Sequence, residues 1–244
     1  MKYASTWIFA AVLLACVSFT QASVFTFKTA GNETTTSQIR QDLTTNTGSA
    51  NRLWAGSINA SGNALRSLIS FDLSTLAVPP GEVIQSVTLD LVYSGQDGST
   101  ASGAVDVAVY QLTETFTGGQ ASWANRATGT PWTTAGGTYN PTQLSLVSVP
   151  TGTSIVSGTA VPTFGSTAAF VDAVDNAAGG TFQIILLTPT PPAARQFANF
   201  FGDTSGGAQF LPTLTVTTGV PEPGSLALLL AGAAMIGVRR RRKA

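Results

Sequence analysis

Apolar and polar residues alternate along most of this chain in short runs, separated by clusters of Gly, Ser, Thr and Asn. A period near two marks strands with one buried face and one wet face. Val24-Phe25-Thr26-Phe27-Lys28 predicts a first strand, and Leu53–Gly56, after the turn-rich stretch 46–51, predicts another. Ser67–Leu73 alternates well. Val83–Tyr93 is the clearest case, with Val83, Val87, Leu89, Leu91 and Tyr93 expected on one face. Val105–Leu112, Thr181–Leu187 and Pro212–Thr217 complete the set. One stretch changes period: Thr167–Asn176 places Phe170, Val171 and Val174 on one helical face, with Gly179-Gly180 as a stop, and predicts a short helix. Thr113 to Pro141 holds two tryptophans, several glycines and Pro131. It is expected to be a long loop, either functional or capping one end of a sandwich. The glycine pairs at 118–119, 136–137 and 206–207 are isolated and predict turns. The pattern predicts an all-β fold.

The two ends depart from this pattern. Near the C-terminus, Val220-Pro221-Glu222-Pro223 precedes an unbroken apolar run of 13 residues, Leu226–Val238, and then Arg239, Arg240, Arg241, Arg242 and Lys243. Proline is excluded from a helix interior, so a short hydrophobic helix is expected to begin just beyond Pro223. A spanning helix needs ~20 residues. Gly224, Ser225 and snorkelling arginines extend the reach of this one. The basic cluster is expected to stay cytoplasmic, with everything before it outside. At the other end, Lys2, the largely apolar residues 7–19 and the small residues Thr20 and Ala22 predict an export signal cleaved after Ala22. Leu13-Leu14-Ala15-Cys16 leaves a second reading open, lipidation at Cys16; the favoured one is a cysteine inside the apolar core of a signal peptide. The chain is therefore expected to divide into a signal peptide (1–22), one β-sandwich domain (23–219) and a sorting and anchor segment (220–244).

Charge looks different once the ends are set aside. The whole chain is formally neutral, yet residues 23–219 hold six basic and eleven acidic side chains, a net of −5. An acidic exported domain is a poor match for phosphate backbones, so nucleic acid is not an expected partner. Cys16 is the only cysteine, which leaves the domain without a disulfide in a compartment that would permit one. Its stability must come from burial, which ~200 residues supply. There is no histidine. Ser-His-Asp and Cys-His catalysis are thereby excluded, as are the usual histidine-bearing zinc hydrolase sites, and the chain is expected to be non-enzymatic.

Two resemblances follow from these residues. Val220-Pro221-Glu222-Pro223, the apolar run and the Arg239–Arg242 cluster, in that order, closely resemble the PEP-CTERM sorting signal of Gram-negative bacteria that secrete exopolysaccharide. The resemblance implies recognition by an exosortase, a membrane cysteine transpeptidase, and cleavage near the motif. It also implies transient anchoring in the inner membrane and delivery to the cell surface or an extracellular, biofilm-type matrix. In the domain, Asn46-x-Gly48 with Leu53-x-x-Gly56, then Arg66–Leu76, Ile84–Leu91, Val109–Phe116, Ala121–Arg126 and Gly129–Trp132, look like a DNRLRE-type domain. Phe200–Asp203 and Pro212–Val216 resemble its closing strands, although some charged positions near those strands lack clear copies. This resemblance implies a jelly-roll-like antiparallel β-sandwich related to carbohydrate-binding modules.

Trp123, Trp132 and Tyr139 share the long loop and are the candidate glycan-binding residues, because aromatic faces stack on sugar rings. The alternative, favoured for the tryptophans, is that both pack under the loop as a small core of its own. Trp54 is expected in the main core. Asp97 and Asp203 are candidate calcium ligands, but calcium needs six to eight oxygens and no Asp-x-Asp-x-Asp-Gly run is present, so turn aspartates are the favoured reading and no cofactor is expected. Glu114, beside the aromatic loop, is the one glutamate placed to test for glycosidase chemistry. Arg66 is expected to form a structural ion pair or a rim contact. Arg126 is left between gripping an acidic sugar and fixing the loop.

Overall fold

The computed structural model describes residues 22–31, 35–43, 45, 52–94, 103–151, 156–161 and 163–221. The export signal, Cys16, Asp97 and everything from Glu222 onward, including the expected C-terminal helix and the basic cluster, lie outside the described residues.

The described chain forms β1 (Ser23–Lys28), β2 (Thr36–Arg40), β3 (Arg52–Ser57), β4 (Ala64–Asp72), β5 (Val83–Asp90) and β6 (Gly103–Leu112). It continues with β7 (Asn125–Ala127), β8 (Thr130–Pro131), β9 (Tyr139–Thr151), helix α1 (Ala168–Asp175), β10 (Thr181–Leu187), β11 (Gln196–Phe201) and β12 (Thr213–Gly219). A three-stranded sheet runs β1-β12-β5. A seven-stranded sheet runs β11-β3-β4-β10-β6-β9, with β2 also paired to β4, and β7-β8 make a separate ribbon. All pairings are antiparallel. Beyond β5 the chain bridges Tyr93 to Phe200, which links the two sheets at one edge.

Strand periodicity decides what each face buries. Ile69 and Phe71 of β4, Phe182, Ile184 and Leu186 of β10, and Val105, Val107 and Val109 of β6 point to one side. They meet Phe27, Val87, Leu89, Leu214 and Val216 from the three-stranded sheet in one core. Each fully buried side chain of this kind contributes about 1.5–3 kcal/mol of transfer free energy. The molecule is an antiparallel β-sandwich. Helix α1 plugs one side of that core with Phe170, Ala173 and Val174. The Thr167 side chain caps it, accepting from the Phe170 N–H at 3.1 Å.

The structure changes three sequence expectations. Val83 is 46 % exposed and Ile84 is the buried residue. The ladder between β5 and β12 shifts register there: Thr217 faces Ser86 but Thr218 faces Ile84, so Gln85 is an extra residue. A bulge of this kind inverts which side chain points inward. Trp54 is half-buried rather than part of the core, because Leu53 and Ala55 take the inward positions of β3. It packs on Phe197 instead, with ring centroids 5.0 Å apart. The long loop ends at Thr138, since β9 begins at Tyr139. It covers the outer face of the seven-stranded sheet, not an end of the sandwich.

Candidate functional site

The outer face of the seven-stranded sheet is not entirely polar. Leu68, Ile185, Leu187 and Leu112 project from it, and with Ile39 they form a second apolar cluster. Such a patch must be covered. Segment 113–138 covers it, adding Phe116, Ala121 and Trp132, while Tyr110, Trp123 and Tyr139 pack at its margin. The segment is short of regular structure, so its backbone is fixed by specific bonds. The Thr113 N–H donates to the Thr138 carbonyl at 3.0 Å and the Trp132 N–H to the Ala124 carbonyl at 3.1 Å. Gln183 of β10 accepts from the Phe116 N–H at 3.1 Å and donates to Ser70 Oγ at 3.2 Å, pinning the loop to the sheet.

The structure separates the three aromatic candidates. Trp132 is 5 % exposed, and its indole N–H donates to the Ser122 carbonyl at 3.0 Å. A ring so buried has no face to offer a sugar, so Trp132 is a core residue of the loop and leaves the candidate platform. Trp123 and Tyr139 are half-buried. The Arg66 guanidinium lies 4.8 Å from the Trp123 ring centroid and 5.8 Å from that of Tyr139. Tyr139 also packs on Tyr110, with centroids 5.0 Å apart.

Arg66 sits on β4 two residues before Leu68, so strand alternation puts both on the outer face, under the loop. Its Nη1 donates to the Gly136 carbonyl at 2.7 Å. No carboxylate lies within ion-pair distance of it among the described residues, so the expected ion pair is replaced by a carbonyl and two ring faces. Burial lowers the Arg66 guanidinium from its ordinary value, with Tyr139 opposing the shift. Gly136 and Gly137, expected as a plain turn, are packing positions. A Cβ on Gly136 would stand 2.7 Å from Trp123 Cζ2, and one on Gly137 would stand 2.9 Å from Ile185 Cδ1. Nothing in the local sequence signals this, because the atoms in the way belong to distant segments.

Glu114 is occupied. Its carboxylate accepts from Thr133 N–H at 3.0 Å and Thr133 Oγ1 at 2.5 Å. The Thr133 side chain first, then Thr138, hold the carboxyl down to about 2 from an ordinary 4.5. A group so acidic is ionised across the neutral range and holds no proton to give as a general acid. Arg126 donates from Nη1 to the Thr115 carbonyl at 3.1 Å, and its own carbonyl accepts from the Thr117 N–H at 2.9 Å, so it fixes the loop. Asp203 is half-buried beside the 3-10 turn Thr204–Gly206. Among the described residues no group of three or more His, Cys, Asp or Glu side chains is placed to hold a metal. An open concavity of about 420 Å³ has Asp106, Gln143 and Thr190 in its lining; none of the sequence candidates borders it.

The second site of interest is where the domain hands over to its tail. β12 ends at Gly219, Val220 is half-buried with its carbonyl accepting from Gln85 Nε2 at 3.3 Å, and Pro221 is exposed. Residues 219–243 match the PEP-CTERM protein-sorting motif. The match includes Val220, Pro221, Glu222 and Pro223 and the basic residues Arg239–Lys243. The described residues thus form an antiparallel β-sandwich whose last strand runs directly into a sorting motif. The motif marks an exported, surface-sorted protein that an exosortase processes. Comparison with curated protein sequences gives no match. No helix among the described residues is long and apolar enough to cross a membrane.

Proposed function

We propose that this protein is a non-enzymatic component of the cell surface or exopolysaccharide matrix. Its sandwich is exported, tethered at the inner membrane by the segment after Pro223, and transferred outward when an exosortase cuts the tail. The observation that carries this reading is the sorting motif abutting the end of β12. The absence of histidine from the whole sequence and the engagement of Glu114 by Thr133 support a binding or structural role over catalysis. The test is fractionation of the full chain from cells with and without exosortase. Release into the surface or matrix fraction only when the enzyme is present supports the reading; the same distribution in both strains defeats it.

A second reading, that the sandwich binds exopolysaccharide, draws on the half-buried rings of Trp123 and Tyr139 flanking Arg66 and on the resemblance to DNRLRE-type domains. In this reading the platform consists of Trp123 and Tyr139 without Trp132. Saturable co-sedimentation with the host polysaccharide, lost in Trp123→Ala, is the expected result. Undiminished binding by that variant removes the platform.

A further inference from the structure

The two ends of the described chain meet. β1 and β12 are antiparallel neighbours that pair Ser23 with Thr218, and on the other side of β12 Gly219 pairs with Val83. The residue after the expected signal cleavage and the residue before the sorting motif therefore stand side by side at one pole of the three-stranded sheet. Two of the large apolar side chains left most open to solvent are at this pole, Val24 at 63 % and Val83 at 46 %. Lone exposed valines need no explanation. These two flank the strand from which the sorting motif emerges.

The available length of chain restricts what can approach them. Only residues 220–225 separate the last ladder residue from the apolar run, about 20 Å when fully extended. An enzyme gripping Pro221-Glu222-Pro223 has less reach still, so its surface must come against this pole. β12 is also the central strand of its sheet, with ladders on both sides. The Thr218 hydroxyl is hydrogen-bonded to Glu82, and Gln85 holds the Val220 carbonyl. Unzipping β12 to free more substrate would break both ladders, so the folded end of the strand stays part of what the enzyme meets. A lipid surface is a poorer match. Among the described residues Glu82 is the charged side chain hydrogen-bonded at this pole, and Lys28 stands at the far end of β1 opposite Thr213. The positive group expected here is the Ser23 α-amino group that signal cleavage would create, and one such charge is a weak hold on anionic headgroups.

We propose that Val24, Val83 and Gln85, around the emerging Val220, form a docking surface for the exosortase, which reads this edge of the folded domain together with the Pro-Glu-Pro motif. The proposal rests on the reading that an exosortase processes this chain.

The test uses the full-length chain co-produced in membranes with the exosortase. The double variant Val24→Lys/Val83→Lys is expected to be cleaved about tenfold more slowly than the wild type, as loss of apolar anchors at an interface centre produces. Leu146→Lys, at an exposed apolar position elsewhere, is expected to keep the wild-type rate. A photo-crosslinking side chain at position 83 is expected to yield an adduct with the mass of the exosortase, a readout that does not depend on how well the double variant folds. Wild-type cleavage of the double variant, or an adduct to lipid or to a second copy, or no adduct, overturns the docking surface while leaving exosortase processing intact. A wild-type chain that is never cleaved overturns both.

Discussion

Arg66 donates its Nη1 hydrogen to the Gly136 carbonyl at 2.7 Å while its guanidinium rests 4.8 Å from the centre of the Trp123 ring. One cation thus fastens the loop 113–138 to the outer face of the sheet through two different interactions. Lysine reproduces neither the planar stacking nor the forked donor geometry. Arg66→Lys is expected to destabilise the domain by about 1–2 kcal/mol. Urea unfolding measures this, and an unchanged midpoint would show that the loop is held without Arg66.

Gly136 is the tightest point of that cluster. Its φ is 88°, and a Cβ would collide with Trp123 and Arg66 together. Gly136→Ala is expected to cost about 2 kcal/mol or more, combining left-handed strain with overpacking. Gly129 also has positive φ, at 72°, but nothing lies within 4 Å of its Cβ position. Gly129→Ala should therefore cost only the conformational part, and a larger loss there than at position 136 would contradict the packing described.

Trp132 and Trp123 should part company under mutation. Trp132→Ala empties a buried site and orphans the Ser122 carbonyl, an expected loss of about 3–5 kcal/mol. Trp123→Ala removes a half-buried ring and should cost clearly less, about 1–2 kcal/mol. Equal losses in equilibrium unfolding would show that Trp123 is as much a core residue as Trp132.

Glu114 predicts an acid limb in the stability profile. Its folded-state pKa, about 2, lies below the ordinary 4.5. A depressed carboxyl contributes stability that is fully present above about pH 4.5 and is lost as pH falls through about 2. Glu114→Gln should flatten thermal stability across that window and leave the slope near neutrality unchanged. An unaltered acid limb would mean the Thr133 contacts are not kept in solution.

Much of this fold was legible because local pattern and tertiary role agree. Thr181–Leu187 alternates between the main core and the loop-covered cluster, so its apolar run is continuous and its ends match β10. The helical period read over Thr167–Asn176 matches α1 at Ala168–Asp175. Where the signal failed, the cause lay elsewhere in the chain. β2 (Thr36–Arg40) carries one aliphatic residue, Ile39, and exists because β4 offers it a partner. β9 holds Pro141 and Pro150 among Ser and Thr; as the outermost strand of its sheet it tolerates prolines that a central strand rejects. Val83 was misplaced by a bulge set by its pairing with β12, and Trp54 because a strand pattern alone does not tell which face is buried, and Leu53 and Ala55 take the inward one.

The candidate site was legible only as a composition. Two tryptophans and a tyrosine within residues 113–141 mark it, but which ring is buried depends on Leu68, Ile185 and Leu187 beneath and on Arg66, 57 positions before Trp123. The sorting tail needs no tertiary partner to be recognised, and for that reason its ordered motif could be read directly from the sequence.

The most direct measurement is the intact mass of the chain isolated from cells that carry the exosortase and from cells that lack it, with Glu222→Ala alongside. The expected result is a chain that keeps all of β12 through Gly219 and loses the apolar run and Arg239–Lys243 only when enzyme and motif are both present. A chain that retains its full tail in the presence of the enzyme, or loses it equally in the Glu222→Ala variant, would contradict delivery by exosortase processing.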